Sequence, residues 1–363
     1  MRRVLITGGA GFIGSHVADE LIARGYAVRA LDNLSPEVHD SGFRPRYLHP
    51  EVELRVGDVR DPETVRSALA DVDSVIHLAA LVGSSQSMYE LREYTSVNAL
   101  GTAVLLEGII RRPVRRLVVA SGMSVYGEGR YHSPVGSIVD DAERIPEVLR
   151  AGHWDPEQAG GTTLVPVPTP EDKRPHLSSV YALSKFEQEE LCLMVGRAYG
   201  IPTVALRVFN TYGPRQALSK PHTGVLAIFA SRLLDGKRPR VFEDGRQMRD
   251  FVSVHDVARA FVLALSAPRA AFHAINIGSG EPVSVGEVAR RLASAIGRDI
   301  EPEITERYRF GDVRHCFGTI ETAEELLGYR PSVTLETGIR QLASWLSAIP
   351  KAAGPALPIE GSP

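Results

Sequence analysis

The sequence has few cysteines, no long apolar run and no marked excess of charge of either sign. Only Cys192 and Cys316 occur among its 363 residues, and both are expected to pack in the interior rather than bind a metal or form a disulfide. The net charge of -3 leaves no basic footprint for nucleic acid. No stretch reaches the length of a membrane span, and the apolar run near the N-terminus is too short for a signal peptide. These absences favour a globular protein of the reducing cytoplasm, bound to neither nucleic acid nor membrane.

Short apolar runs alternate with longer amphipathic stretches along much of the chain. The apolar runs predicted to be buried strands are Val4–Ile6, Ala27–Leu31, Val52–Val56, Ser74–Leu78, Leu117–Ala120, Thr203–Val208 and Ala274–Ile277. The stretches predicted to be helices include Ile13–Arg24, Pro62–Ala70, Val97–Ile110 and Tyr181–Tyr199. This alternation predicts βαβ units around a parallel sheet, and so an α/β fold. Residues 131–176 interrupt it, and a loop of that length is expected to be a lid, a binding element or disordered.

A glycine-rich loop follows the first predicted strand and opens the first predicted helix. Gly8, Gly11 and Gly14 have the spacing G-x-x-G-x-x-G, with Phe12 and Ile13 before the last glycine. Such a loop lets a pyrophosphate approach the backbone at a helix N-terminus, where free N–H groups point at the anion. Because strand, loop and helix follow in this order, the segment predicts a dinucleotide-binding site.

Acidic residues follow the second and third predicted strands. A carboxylate at Asp32, beside Asn33, can bond the ribose hydroxyls of NAD and repel the 2′-phosphate of NADP. The alternative is that Asp32 and Asn33 only begin a turn. Asp58, followed by Val59, either holds the adenine amino group or caps the helix that begins near Pro62. The position of Asp32 after the glycine loop favours NAD as the cofactor.

Tyr181 stands four residues before Lys185, in a segment predicted to be helical. Positions four apart lie on one face of a helix, so the phenol and the ammonium can share a pocket. A free tyrosine has a pKa of about 10, and a nearby lysine charge lowers that pKa toward the range of a useful base. The pair predicts a proton shuttle for a hydroxyl group that is being oxidised. The alternative is an ordinary tyrosine and a surface lysine.

These motifs, in this order, resemble the extended short-chain dehydrogenase/reductases, and among them the nucleotide-sugar epimerases and dehydratases of the UDP-glucose 4-epimerase type. The resemblance runs from about Met1 to Trp345, and further matching segments are His77–Ala80, Ser121 with Val125–Gly127, Arg207–Pro214, Gln247–Phe251 and Asn276–Gly278. It implies a Rossmann-type doubly wound parallel sheet that binds NAD, formed by 1–208 with the insertion 131–176 and a return at 251–278. Residues 209–250 and 279–348 would form a smaller sugar-nucleotide domain, and 349–363 a disordered tail.

The resemblance also implies roles for particular residues on the cofactor side. Tyr181 would be the base, and Lys185 would hold the nicotinamide ribose and lower the pKa of Tyr181. The positions that would line the cofactor path are Gly8, Gly11, Phe12, Ile13, Gly14, Asp32, Asn33, Asp58, Val59, Ala79, Ala80, Asn98 and Phe209.

A second set of positions would contact the nucleotide sugar. They are Ser84, Gln86, Asn210, Thr223, Val241, Phe242, Arg249, Arg309 and Arg314. Asn210 and Arg249 would bind the diphosphate. Either Arg309 or Arg314 would clamp it from the other side, since a planar guanidinium bonds phosphate oxygens in pairs. Val241 and Phe242 would flank the base of the nucleotide, and Ser84 and Gln86 would face the sugar.

One position departs from the family pattern. Relatives carry a serine or threonine four positions before the tyrosine of Val125–Gly127, and its hydroxyl bonds the reacting sugar oxygen, but here that position is Gly122. Ser121 or Ser124 would supply the hydroxyl, or a water would, or the chain would be a weakened catalyst. The 4,6-dehydratases place an acid pair at the positions of Met123 and Ser124, and the UDP-glucuronate decarboxylases place a glutamate at the position of Ser124. Because a departing hydroxyl needs an acid, their absence disfavours dehydration.

The sequence therefore predicts an NAD-dependent epimerase of a UDP-, dTDP- or GDP-linked sugar, acting at C4 through a transient 4-keto intermediate. One alternative is a dehydratase or decarboxylase that takes its acid from elsewhere, such as the insertion. The other is a catalytically weakened protein that binds NAD or a sugar nucleotide. The resemblance also implies a homodimer joined through the helices Val97–Ile110 and Tyr181–Tyr199.

Overall fold

The computed structural model describes residues 2–36, 38–39, 42–158, 161–217, 224–309 and 311–348. The strands in this part of the chain are β1 (Arg3–Thr7), β2 (Ala27–Asp32), β3 (Glu53–Val56), β4 (Ser74–His77), β5 (Arg116–Gly122), β6 (Arg130–His132), β7 (Ile138–Val139), β8 (Glu157–Gln158), β9 (Thr162–Thr163), β10 (Val165–Val167), β11 (Thr203–Val208), β12 (Asn210–Tyr212), β13 (Arg240–Val241), β14 (Met248–Ser253), β15 (Ala274–Ile277), β16 (Pro282–Ser284) and β17 (Glu303–Ile304). The α-helices are α1 (Phe12–Ala23), α2 (Pro62–Ala68), α3 (Ser84–Ser87), α4 (Leu91–Tyr94), α5 (Gly101–Arg111), α6 (Pro146–Arg150), α7 (Val180–Tyr199), α8 (Val225–Leu234), α9 (Val254–Ser266), α10 (Val285–Ala295), α11 (Glu321–Leu327) and α12 (Leu335–Ala348).

The largest sheet has seven parallel strands in the order β15-β11-β5-β4-β1-β2-β3. The predicted α/β fold with a doubly wound parallel sheet is thereby confirmed. The chain runs outward from β1 in both directions, so a topological switch point lies between β1 and β4. In open α/β sheets the ligand crevice lies at that point, outside the carboxyl ends of the strands.

Apolar residues on both faces of this sheet explain why its strands read as continuous apolar runs. Along β5, Val118 packs into the cluster that includes α1 and α9, whereas Leu117 and Val119 pack into the cluster beneath α5 and α7. Successive side chains of a strand point to opposite faces, so a strand covered on both sides must be apolar throughout. The helix α9 packs on α1 and on β5 of the main sheet.

The helix predicted at Val97–Ile110 begins with an irregular turn. Residues Thr95–Leu100 form a π-helix, and the regular helix α5 starts only at Gly101. π-Helical turns are rare, and they are found frequently at functional sites. The turn carries Asn98, which lies beneath the segment after β4.

A second, smaller core lies beyond the carboxyl edge of the main sheet. Side chains from α8, α10, α12 and β14 form it, with Phe229, Leu292 and Leu342 among the buried members. The strands β12, β14 and β16 make a separate three-stranded sheet beside it. The elements around this second core are called the second domain, and a cleft lies between them and the ends of the parallel strands.

The insertion at 131–176 is folded in its described part, contrary to a disordered loop. It holds the strands β6, β7 and β10 in one small sheet and β8 with β9 in another. Tyr131, Ala142 and Leu164 form a core of their own. The tail predicted to be disordered, 349–363, lies outside the described residues. Among the described helices, none combines the length and the apolar character needed to cross a bilayer.

Candidate active site

The carboxyl ends of the parallel strands open into a cavity of about 2270 Å³. Its wall begins at the loop after β1, crosses the ends of β4 and β5 and reaches the second domain. The predicted site residues in this wall are Gly8, Gly11, Phe12, Ile13, Gly14, Asp32, Asn33, Asp58, Val59, Ala79, Ala80, Ser84, Gln86, Ser121, Ser124, Tyr181, Lys185, Phe209, Asn210 and Arg249. Residues distant in the sequence thus meet around one space.

The glycine loop has the conformation that a phosphate cradle needs. Gly8 has a φ of +69°, which side chains other than glycine rarely adopt. A Cβ on Gly14 would lie 2.3 Å from the carbonyl oxygen of Gly8, so only glycine lets the helix sit this close. Gly11 precedes α1 and supplies no side-chain cap. The first N–H groups of α1 are therefore available to an anion, which fits the pyrophosphate of a dinucleotide.

Asp32 closes the far side of this cradle. One of its carboxylate oxygens accepts from the backbone N–H of Ala10 at 3.0 Å, and the other accepts from Leu34 at 2.9 Å. Nε2 of His39 lies 3.5 Å from the carboxylate. Both side chains are buried, and both residues are part of the cavity wall. These contacts orient the carboxylate, whose remaining lone pairs suit ribose hydroxyl donors.

Asp58 is held by an arginine that the sequence reasoning did not single out. Arg60 bonds both oxygens of Asp58 and also reaches Glu93 at 2.9 Å. The Arg60 guanidinium keeps the pKa of Asp58 below its ordinary value. The cap of α2 is Asp61, whose side chain accepts from the first turn, so the alternative capping role does not belong to Asp58.

Tyr181 lies in the first turn of α7, and its ring meets the edge of Tyr94 at 6.4 Å between centroids. Its backbone N–H donates to Oγ of Ser87 at 2.9 Å. Burial raises the pKa of Tyr181 to about 12. Desolvation of the phenolate is the cause of this rise, and the lowering of the Tyr181 pKa by Lys185 stays a prediction.

The ammonium of Lys185 is hydrogen-bonded to a glutamine about one turn further along α7. Its Nζ donates to Oε1 of Gln188 at 2.7 Å, and burial lowers the pKa of Lys185 to about 8. The Gln188 amide donates in turn to Thr102 at 2.9 Å and lies 3.2 Å from Nε2 of His77. Gln188 was missed, although its spacing of three from Lys185 places it on the same helix face.

Two predicted residues have structural partners that limit their roles. Asn98 is fully buried and is not part of the cavity wall, so its place on the cofactor path stays a prediction. Its amide is used by the backbone of Leu81 and by Ser184, so it joins the segment after β4 to α7. Gln86 faces the cavity, but its amide donates to Glu90 and accepts from Tyr94.

The end of β5 carries two buried hydroxyl groups with no partner. Oγ of Ser121 and Oγ of Ser124 are both shielded from solvent and make no hydrogen bond within the described residues. A Cβ built on Gly122 between them would lie 3.6 Å from the carbonyl oxygen of Val208 and 3.9 Å from Oγ of Ser124. A small side chain would fit at residue 122.

The side of the cavity formed by the second domain offers an amide and a guanidinium. Oδ1 of Asn210 is buried without a partner. One nitrogen of the Arg249 guanidinium donates to the carbonyl oxygens of Met248 and Arg314 at 2.9 and 2.8 Å, and another donates to Val313. Phe209 stacks on Tyr126 behind Asn210, with 6.4 Å between ring centroids.

Several predicted substrate residues lie elsewhere. Arg314 is completely buried, its guanidinium uses four of its five N–H donors on Asp155, Glu243 and Asp244, and it is not part of the cavity wall. Val241 packs in the second core. Arg309 stacks on Phe242 at 4.0 Å, and neither is part of the cavity wall. Thr223 lies outside the described residues.

The insertion does not supply an acid to the cavity. None of its described residues contributes to the wall. The acidic residues that do line it are Asp32, Asp58, Glu93, Asp235 and Asp312. Asp58 and Glu93 are already paired with Arg60. The alternative of an acid drawn from the insertion therefore has no support in the described part of that segment.

Comparisons with known proteins agree with this geometry. The profile of the NAD dependent epimerase/dehydratase family matches residues 4–147 and 157–278. The dTDP-L-rhamnose 4-epimerase of Burkholderia thailandensis is 36% identical over 350 residues, which cover 95% of each chain. The dTDP-glucose 4,6-dehydratase of an Actinoplanes species is 30% identical over 355 residues, 95% of this chain and 98% of that one.

A solved structure matches as well. The UDP-glucose 4-epimerase of Thermotoga maritima, determined with UDP-glucose, superposes with a TM-score of 0.79 at 32% identity, covering 95% of this chain and 98% of that one. The relatives include both epimerases and dehydratases, so similarity alone leaves the reaction open. The chain belongs to the NAD dependent epimerase/dehydratase family of nucleotide-sugar enzymes, and NAD is its cofactor.

Proposed function

We propose that this protein interconverts the C4 epimers of a nucleotide-diphosphate sugar. The observation that carries the proposal is that Tyr181 and Lys185 face the cavity while Met123 and Ser124 stand where the dehydratases need acids. Epimerisation requires a proton shuttle and a hydride carrier but no acid for a departing hydroxyl. Relatives named as 4-epimerases of dTDP-L-rhamnose and of UDP-glucose support the same reaction.

In this proposal the glycine loop and Asp32 hold NAD. When bound there, NAD would supply the hydride acceptor for C4 and the hydride donor for the keto sugar. Tyr181 takes the proton of the C4 hydroxyl and gives it back in the second half of the reaction. For this its pKa must fall from about 12. A turn of the Lys185 ammonium from Gln188 toward the phenol would have this effect, since a nearby positive charge favours the phenolate.

The second domain would bind the nucleotide half of the substrate. The unpartnered oxygen of Asn210 is an acceptor for a polar group of the sugar nucleotide, and Arg249 brings positive charge to the same side of the cavity. Positive charge and hydrogen-bond donors are what a diphosphate requires. Ser84 and Gln86 would lie on the sugar side.

A screen of UDP-, dTDP- and GDP-sugars, with products identified by NMR, tests the reaction. We expect an isomer of the same mass, because the oxidation and reduction cancel. A product that has lost water or carbon dioxide would instead identify a dehydratase or a decarboxylase. Binding without turnover of any sugar would identify the weakened binding protein.

Replacing Tyr181 by phenylalanine tests the shuttle. Tyr181→Phe should lower kcat by about 10²–10⁴-fold, the usual contribution of a general base, while calorimetry still detects the sugar nucleotide. The matched control is Tyr89→Phe, because Tyr89 is exposed and does not line the cavity. Full activity in Tyr181→Phe would show that the proposed mechanism is wrong.

A further inference from the structure

Buried polar atoms without partners are concentrated around the cavity. Seven such side-chain atoms occur among the described residues, and five of them belong to residues in the cavity wall. Those five are carried by Ser121, Ser124, Asn210, Arg215 and Gln216. Because buried polar groups in native proteins are nearly always satisfied, such a concentration points to partners that come from a ligand.

Ser124 lies beside residue 122, the position that lacks a hydroxyl. It sits on the short 3₁₀ turn Met123–Tyr126 that directly follows β5. Its Oγ is 3.9 Å from the position of a Cβ on Gly122, so it lies next to the space that a serine hydroxyl at 122 would occupy. The turn thus supplies, two residues later, a hydroxyl group beside the place that a hydroxyl at 122 would take.

Ser121 is placed differently, although its hydroxyl is also unpartnered. Ser121 and Gly122 are successive residues of β5, so their Cβ directions point to opposite faces of the sheet. In the parallel register Ser121 lies opposite Arg207, whereas Gly122 lies opposite Val208. The Ser124 hydroxyl approaches the Gly122 side of the strand, and the Ser121 hydroxyl belongs to the other side.

We propose that Ser124 is the catalytic hydroxyl that bonds the reacting sugar oxygen and relays its proton to Tyr181. This assignment rests on the proposed epimerase function. The proton of the sugar hydroxyl passes to Oγ of Ser124 as the proton of Ser124 passes to the Tyr181 phenolate, so Ser124 stays neutral and Tyr181 gains one proton. The C4–H electron pair leaves as hydride to NAD, which balances the oxidation of the alcohol to a ketone.

The test removes the hydroxyl of Ser124 or of Ser121 by substitution with alanine, and then moves the Ser124 hydroxyl to position 122. Ser124→Ala should lower kcat by about 100-fold, the order found when one polar contact to the reacting oxygen is lost, with KM changed by less than about threefold. Ser121→Ala, the matched deletion, should lower kcat clearly less than Ser124→Ala does. In the double variant Gly122→Ser/Ser124→Ala the hydroxyl returns to position 122, where the structure leaves room, and most of the lost rate should return.

A second readout separates catalysis from a structural effect. In a Tyr181→Phe background, which does not turn over, calorimetry with dTDP-L-rhamnose and UDP-glucose measures binding with and without Ser124→Ala. We expect similar affinities and unchanged unfolding temperatures, because Ser124 acts mainly as the proton moves.

The outcomes also distinguish this assignment from the proposed function. Activity in Ser124→Ala within about threefold of the unaltered protein, or a larger loss in Ser121→Ala, would overturn the assignment and leave the epimerase proposal intact. The absence of epimerisation by the unaltered protein with every nucleotide sugar would overturn both.

Discussion

At the residue scale, the pKa of Lys185 depends on a contact with Gln188 that the Tyr-x-x-x-Lys spacing does not reveal. Oε1 of Gln188 accepts from the ammonium, while Glu189 and Cys192 on the same helix and His77 on β4 are the other titratable groups that interact with it. Burial has already lowered the pKa of Lys185 to about 8. Since a hydrogen bond to the charged form favours that form, Gln188 opposes a further fall.

Substitutions of Gln188 should shift the pH dependence in opposite directions. Gln188→Met removes the acceptor, so the pKa of Lys185 should fall further and the alkaline limb of kcat/KM should move to lower pH, by about one unit. Gln188→Glu adds a negative charge, which favours the ammonium, and should move that limb to higher pH. The measurement is kcat/KM across the pH range.

Glu187→Gln is the control for this experiment, because Glu187 is an exposed neighbour on α7. It should leave the pH profile unchanged. Shifts of the same sign in both Gln188 variants would contradict a role in setting the Lys185 pKa. Unfolding temperatures measured in parallel separate a change of pKa from a loss of the fold.

At the scale of elements, the insertion is joined to the second domain by buried ion pairs. Arg144, from the insertion, bonds Glu243 at 2.5 Å and Glu128 at 3.1 Å. Arg314 bonds Glu243 at 3.0 Å and Asp155 of the insertion at 2.7 Å. The predicted phosphate clamp is thus part of a structural joint, which holds the segment around Val313 against the cavity.

Removing Arg314 should destabilise this joint. Arg314→Met leaves the carboxylate of Glu243, which is 2% exposed, with one cation fewer, and breaking a buried pair typically costs about 3–5 kcal/mol. Urea denaturation measures the free energy of unfolding. The control Arg330→Met removes an arginine that is 82% exposed from its pair with Glu324, which should cost about 0–1 kcal/mol. An equal loss of unfolding free energy in the two variants would show that the ion pairs of Arg314 do not stabilise this joint.

At the scale of the whole molecule, α7 has a second face away from the cavity. Leu183 and Met194 on α7 are 51% and 60% exposed, and Leu100 next to α5 is 53% exposed. Leu183 and Met194 are eleven residues apart, which places them on one side of the helix. Apolar side chains exposed on neighbouring helices support the proposed homodimer through these two helices.

Charges placed on this face should separate the subunits. We expect the unaltered protein to sediment as a dimer and the double variant Leu183→Glu/Met194→Glu to sediment as a monomer, because charged groups are costly in a buried interface. The control is Val135→Glu, at a residue of the insertion that is 88% exposed and lies on neither helix. A monomeric unaltered protein would contradict the proposed dimer.

The local order of residues was sufficient to predict the main sheet and the phosphate loop. The strand, the glycines and the helix follow one another directly in the sequence. Their geometry therefore follows from local backbone sterics and from the spacing of apolar residues. The same holds for Tyr181 and Lys185, whose common face is set by helical spacing. Even so, the irregular start of the helix at Thr95–Leu100 and the small strands of the insertion gave no periodic signal.

Interactions between distant segments could be read only from the tertiary structure. Arg314 meets Asp155 and Glu243 at separations of 159 and 71 residues, and a sequence pattern cannot tell such a buried pair from a free phosphate ligand. Whether Lys185 or burial controls the Tyr181 pKa depends likewise on desolvation, which is a property of the packed interior. The nearness of Ser124 to the side-chain position of Gly122 depends on the direction of the turn after β5, which the three-dimensional fold alone sets.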